Sequence, residues 1–385
     1  MFYKKIASWI CFFYFCLPLV KAQLPKGVSL ESSIYFGKVV KHTPKLRFDS
    51  PPLSIGFDFH VTKQLYGQKA WHQWLNYPAI GVSFVYYDIG SESLGKAFGL
   101  FPTFDLKLIT HQKFQSKMQL GLGLAYLTRY YDALTNPDNN AVGSNMNGTA
   151  QFKWQNQYSV NRNWQILFGL SFTHYSNGSS QQPNFGINIG GAQFGVKWQP
   201  NHINTVDAGN PDAFGKGYVH RDTSSKPERR FGVSMHAGMA YVEPGVLRGP
   251  RYPFYYMSVG GLYRTSKVNQ VLLGFDYEYD KSTYYWSLHS ATVFTEADAN
   301  RAASRWSVFV GDEIFFGNFS VWAQLGIYLN TKTALALTAV WYNKIGLRYH
   351  FPPIGRPKTR FFVGSYLKTH RIAAEYMGLG IGASF

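Results

Sequence analysis

The chain has 385 residues, with 38 Lys and Arg against 21 Asp and Glu, a formal net charge of +17, and only 15% charged residues. Aromatic residues make up 18% and glycines number 37, which excludes a disordered polymer, because disordered chains lack aromatics. Mean hydropathy is −0.19, and beyond residue 22 no apolar run reaches the ~20 residues a spanning helix needs, which excludes a helical membrane bundle.

Residues 1–22 read as a secretory signal. Lys4 and Lys5 give a basic start, Ile6 to Val20 is apolar, and Ala22 supplies the small residue at the cleavage end. Both cysteines, Cys11 and Cys16, fall inside this segment. The remaining chain, 23–385, therefore has no thiolate for catalysis, disulfides or metal.

From there the chain alternates with period two. The first eight expected strands fall near 31–40, 52–62, 78–88, 98–110, 117–129, 148–158, 164–176 and 185–198. In the fifth, Met118, Leu120, Leu122, Leu124 and Tyr126 alternate with Gln119, Gly121, Gly123 and Ala125. One face is apolar, and the other is small or polar rather than charged, which suits a strand with lipid on one side and a crowded lumen on the other.

The seventh strand carries the chemistry. Its apolar row, Trp164, Ile166, Phe168, Leu170 and Phe172, ends in His174 and Ser176. Residues i and i+2 share a face about 6.5–7 Å apart, and a serine beside a histidine is the minimal nucleophile–base pair. With the N-terminus in the periplasm, odd strands end outside the cell. The 130–147 loop and this strand end then lie outside, and the Ser159–Asn163 turn inside. Arg129 closes the fifth strand on the same rim and is a candidate phosphate contact.

The run His174-Tyr175-Ser176-Asn177-Gly178, a short polar loop, and Pro183-Asn184-Phe185-Gly186-Ile187-Asn188 resembles the signature of the lipid A 3-O-deacylase (PagL-type) family. These are outer-membrane barrels that remove an ester-linked acyl chain. The resemblance covers about 31–199. It implies Ser176 as nucleophile, His174 as base, and Asn177, Gly178 and Asn184 as oxyanion donors. Where the family has a glutamate that orients the histidine, this chain has Asn188. That amide shares the parity of Phe194 and Val196 and so belongs beside His174 on the lipid face.

Residues 199–229, rich in Asn, Asp, Gly and Pro, read as a loop or linker. Eight more strands follow near 230–242, 252–265, 268–280, 304–316, 318–330, 335–350, 359–368 and 372–385, with a short loop helix at 294–303. This half is similar to acyloxyacyl-hydrolase-like proteins, through Leu367-Lys368-Thr369-His370 and the closing Gly378-Leu379-Gly380-Ile381-Gly382. The terminal Phe385 ends an alternating strand, as outer-membrane barrels do.

The expected fold is all-β, an antiparallel transmembrane β-barrel of about 12–16 strands in one barrel. The alternative is an eight-stranded barrel at 31–199 plus a second β unit. The expected function is an outer-membrane serine esterase acting on lipid A or a similar glycolipid in the outer leaflet. It uses no metal or cofactor and has no nucleic-acid partner. The competing readings are a passive pore and a structural barrel with a degenerate motif.

Overall fold

The computed structural model describes residues 24–200 and 230–385, apart from 68, 244–246, 248, 290–294, 331–338, 356–358 and 371–372. The expected signal 1–22 and most of the expected linker lie outside the described residues.

Sixteen antiparallel strands close into two barrels of eight. The first holds β1 (Val28–Val39), β2 (Ser54–Gln64), β3 (Ala79–Asp88), β4 (Lys96–His111), β5 (Phe114–Leu127), β6 (Met146–Ser159), β7 (Trp164–Ser176) and β8 (Ile187–Trp198). The second holds β9 (Phe231–Val242), β10 (Tyr252–Arg264), β11 (Asn269–Asp280), β12 (Ser304–Phe316), β13 (Phe319–Tyr328), β14 (Trp341–His350), β15 (Arg360–His370) and β16 (Ala373–Ser384). Short helices α1 (Ala70–Trp74), α2 (Lys281–Leu288) and α3 (Glu296–Ala303) sit in connections. The third coincides with the expected loop helix.

The single large barrel is corrected to two small ones, the stated alternative. Strand β8 pairs back onto β1, with Phe194 opposite Ile34, and β16 pairs back onto β9, with Ile381 opposite Ala237. Once β8 has satisfied the edge of β1, no unpaired backbone is left for a ninth strand to join, and an open edge in lipid is not tolerated.

An eight-stranded barrel is just wide enough for side chains to fill, and both lumens are filled with paired charge. In the first, Lys117 Nζ lies 2.9 Å from Glu31 Oε1 and 2.8 Å from Asp105 Oδ2, while Lys153 binds Asp58. Glu31, His60 and Asp105 cluster closely enough to hold a cation, but the Lys117 ammonium already binds two of the three carboxyl and imidazole groups. In the second, Lys344 Nζ binds Asp276 at 2.7 Å and Glu278 at 3.0 Å, and Arg348 binds Glu313 at 3.0 Å. The outward row is apolar: Leu124, Leu170 and Phe194 in the first barrel and Leu273 and Phe275 in the second are all exposed. Charge inside and hydrocarbon outside is a soluble fold turned inside out, which only lipid makes favourable.

Connections differ at the two rims. Residues 112–113, 160–163, 265–268 and 317–318 make tight turns at one end, with longer links at 65–78 and 351–359. At the other end 128–145, 177–186 and 281–303 are long. Short turns mark the periplasmic rim of such barrels and long loops the outer one. The ends of β7 and β15 therefore lie at the outer rim.

Candidate functional site

His174 and Ser176 lie at the outer end of β7, on the row of Ile166, Phe168, Leu170 and Phe172, all exposed on the barrel's outside. Alternate residues Leu167, Thr173 and Tyr175 point inward and are fully buried. The pairing of β7 with β8 runs without a bulge, so Asn188 stands directly opposite His174. Directly opposed side chains in an antiparallel pair share a face, and Asn188 Oδ1 lies 2.6 Å from His174 Nδ1.

The amide has a second partner. Strand β1 is extended by one ladder bond, from Val40 N–H to the Asn188 carbonyl at 2.8 Å, and this brings His42 to the site. Asn188 Nδ2 lies 2.9 Å from His42 Nδ1. An amide nitrogen only donates and an amide oxygen only accepts. In this arrangement His42 Nδ1 is therefore an acceptor, His174 Nδ1 carries a proton, and His174 Nε2 is left with the lone pair a base requires. Gly186, at φ +82°, packs against the same imidazole, and a Cβ there would come within 2.7 Å of its Cε1. The turn needs glycine both for its left-handed backbone and for this approach.

The Ser176 hydroxyl is held in a cage of amides. Asn184 contacts it through Nδ2 at 2.9 Å and Oδ1 at 3.1 Å, and the Gly178 N–H donates to it at 3.1 Å. No hydrogen bond joins it to His174 among the described residues; the hydroxyl proton is directed to Asn184. Two donors, Asn184 Nδ2 and Gly178 N–H, thus converge on the serine oxygen. Asn177 does not join them. Its backbone N–H donates to Asn184 Oδ1 at 2.9 Å, and its Nδ2 donates to Ser144 Oγ at 3.1 Å and to the Gln181 carbonyl at 2.8 Å. All its donors are spent on bracing the loop.

The second barrel also touches this loop. Ser179 Oγ donates to the Ala374 carbonyl at 2.7 Å, and the Gln182 N–H donates to Glu243 Oε2 at 2.8 Å. Gly178, at φ +62°, faces Met377 of β16 so closely that a Cβ would lie 2.6 Å from the Met377 Cβ. Ser176 is consequently only 8% exposed.

The structure thus brings Ser176, His174, Asn184, Gly178 and Asn188 together. It sets Arg129 apart, in a depression lined by Asp88, Glu92 and Lys96 between other outer loops. Sequence reading missed His42, Ser144 and Met377, and named Gly186 in the motif without giving it a role. The Gly186 position lies inside the motif and was open to recognition. The other three come from distant segments and carry no local signal.

Residues 55–197 match the family model described as lipid A 3-O-deacylase (PagL), and residues 229–385 match that of the acyloxyacyl hydrolase C-terminal domain. No curated protein matches the chain. Among solved structures the chain is similar to Neisserial surface protein A, at 11% identity over 45% of this chain and 97% of that one, TM-score 0.33. It is similar to the outer membrane enzyme PagL, at 14% identity over 43% of this chain and 97% of that one, TM-score 0.31. It is also similar to the E. coli outer membrane protein W, at 14% identity over 46% and 100%, TM-score 0.25. With its two lipid-faced barrels, the chain is a bacterial outer-membrane protein.

Proposed function

We propose that this chain, which belongs to the outer-membrane family of lipid A 3-O-deacylases (PagL) and acyloxyacyl hydrolases, is a serine esterase that removes an ester-linked acyl chain from lipid A or a similar glycolipid. One observation carries the reading. A hydroxyl and an imidazole stand together on the lipid side of the barrel, at the outer rim, with the imidazole fixed in the tautomer of a base.

In this reading the Ser176 hydroxyl turns from Asn184 to His174 when substrate arrives. Its oxygen attacks the ester carbonyl, and its proton passes to His174 Nε2. The alkoxide departs with that proton, leaving an acyl-serine. Water, deprotonated by the same imidazole, then releases the fatty acid. Asn184 Nδ2 and the Gly178 N–H serve the oxyanion, each such donor being worth ~3–4 kcal/mol in comparable sites. Asn188 holds the tautomer, as an asparagine does in Cys-His-Asn proteases, but brings no charge to balance the imidazolium. Burial among lipid chains places the ester where the reaction is shielded from bulk water. Phosphates of the lipid meet a chain with excess positive charge.

The test is the acyl pattern of lipid A, read by mass spectrometry in cells making the wild type or Ser176→Ala. Loss of one ester-linked chain with the wild type alone supports the esterase. An identical pattern in both refutes it. The reading as a structural barrel with a degenerate motif draws on the direction of the serine hydroxyl, which bonds Asn184 rather than His174. The ion-paired lumens speak against a pore.

A further inference from the structure

At the periplasmic rim the two barrels meet again, and there they enclose a cleft. Helix α1 of the first barrel lies against the turns of the second. The Phe104 and Phe316 rings are 4.2 Å apart, and the Trp71 indole rests on Gly317, where a Cβ would come within 2.8 Å of its Nε1. Beside this contact is a cavity of about 220 Å³, lined by Trp71 and Trp74 from one barrel and by Arg264, Lys267 and Arg360 from the other.

The lining brings three cations into one small space, and no Asp or Glu is part of it. Arg264 and Arg360 are near enough to repel each other. Arg264 has no ion-pair partner among the described residues. Arg360 donates to the Gly317 carbonyl at 3.4 Å and lies 5.7 Å over the Phe315 ring, and its Nε has no hydrogen-bond partner among the described residues. Lys267 Nζ lies 4.9 Å over the Trp74 ring, a cation–π contact that crosses between the barrels. Two acids of the neighbouring strand β12 stand outside the lining and have other partners. Asp312 accepts from Asn269, and Glu313 is held inside the lumen by Arg348. Among the described residues, the lumen cations Lys117, Lys344 and Lys368 are each matched by carboxylates. For Arg264 and Arg360 the matching anion is left to come from outside.

The location narrows what that anion is. Tryptophans at a barrel rim sit at the level of lipid headgroups, guanidinium forks fit phosphate oxygens, and the periplasmic rim faces the inner leaflet. We propose that this cleft binds the phosphate of an anionic glycerophospholipid, whose headgroup neutralises Arg264 and Arg360 and ties the two barrels together. The site is independent of the esterase reading.

The experiment uses the full chain in detergent micelles and native mass spectrometry with three probes: dioctanoyl phosphatidylglycerol, dioctanoyl phosphatidylcholine and inorganic phosphate. The wild type should retain phosphatidylglycerol in preference to phosphatidylcholine, whose choline is repelled. The Arg264→Gln/Arg360→Gln double variant should bind phosphatidylglycerol about tenfold or more weakly, the equivalent of one lost charge-assisted contact. Should that variant not fold, the wild type still decides. Selective retention that weakens steeply with salt supports the site. Equal retention of both lipids overturns it, as does unchanged binding by a folded double variant. Inorganic phosphate bound as tightly as the lipid means an adventitious ion only, and overturns it too.

Discussion

The seventh strand of each barrel carries a histidine near its outer end, and the two have opposite fates. On β7 the even residues face lipid, so His174 emerges on the outside, paired with Asn188. On β15 the even residues Phe362, Tyr366 and Lys368 face the lumen, and His370 follows them inward. There its Nε2 meets the Tyr328 hydroxyl at 2.8 Å and Glu375 at 3.6 Å. One residue of parity turns a candidate base into lumen packing. The second barrel even holds serine, histidine and glutamate together, as Ser320, His350 and Glu313. Both Ser320 and Glu313, however, engage the same ring atom, Nε2, while Nδ1 has no partner among the described residues. A base needs its orienting group on the nitrogen that does not take the proton, and this cluster is sealed in the lumen. Residue type does not distinguish the two regions; the face and the ring atom do.

The sharpest way to break the comparison is to remove each histidine in turn. His174→Ala should slow acyl release by about 10²–10⁴-fold, the usual contribution of a general base, while His370→Ala should leave it unchanged. Rates measured on purified lipid A in mixed micelles decide. Equal loss in both variants would mean that barrel integrity, not the outer face, is being read. The lumens make the opposite prediction, in which the two barrels behave alike. Lys117→Met strands Asp105 and leaves Glu31 to Lys197, and Lys344→Met strands Asp276 and leaves Glu278 to Lys368. Each should cost about 3–5 kcal/mol, seen as earlier urea unfolding in detergent, and neither charge lies on the lipid face where the chemistry is placed.

The alternation that builds these faces was legible in the sequence. Leu120, Leu122 and Leu124 announced a lipid row, and His174-Tyr175-Ser176 announced where that row changes character. Closure was not legible. One barrel of sixteen strands and two of eight write the same alternation; only the meeting of Phe194 with Ile34 separates them, across a sequence distance no local pattern spans. His42 was hidden for the same reason, since a rim loop delivers it to Asn188 from the far end of the barrel sequence. Asn177 was legible as a candidate oxyanion donor. Its position in the motif is right, yet its hydrogens are already committed to Asn184, Ser144 and Gln181.

That arrangement separates two neighbouring amides. Asn184→Ala removes the amide assigned to the oxyanion and should lower kcat by about 10²–10³-fold. A loss confined to KM would instead make Asn184 a substrate contact made equally in ground and transition states.

The smallest effect tests whether the second barrel takes part in the first one's chemistry at all. Met377 and Leu273 are both apolar residues on the outside of the second barrel. They differ in what lies opposite: Met377 abuts Gly178, whose N–H reaches the serine, whereas Leu273 sits on β11, away from the closing pair of β9 and β16. Met377→Trp adds bulk against a loop that has no space for even one extra carbon at Gly178. A shift of that loop by a fraction of an ångström moves the donor, and misplacements near 1 Å cost up to about 10²-fold, so a loss of about tenfold is expected in kcat with KM little changed. Leu273→Trp, the same substitution class on the same barrel, should have no effect. If both variants keep full activity, the contact between the barrels is only an anchor, and the first barrel acts alone. If only Met377→Trp slows the reaction, the second barrel is part of the wall that holds the oxyanion donor in place.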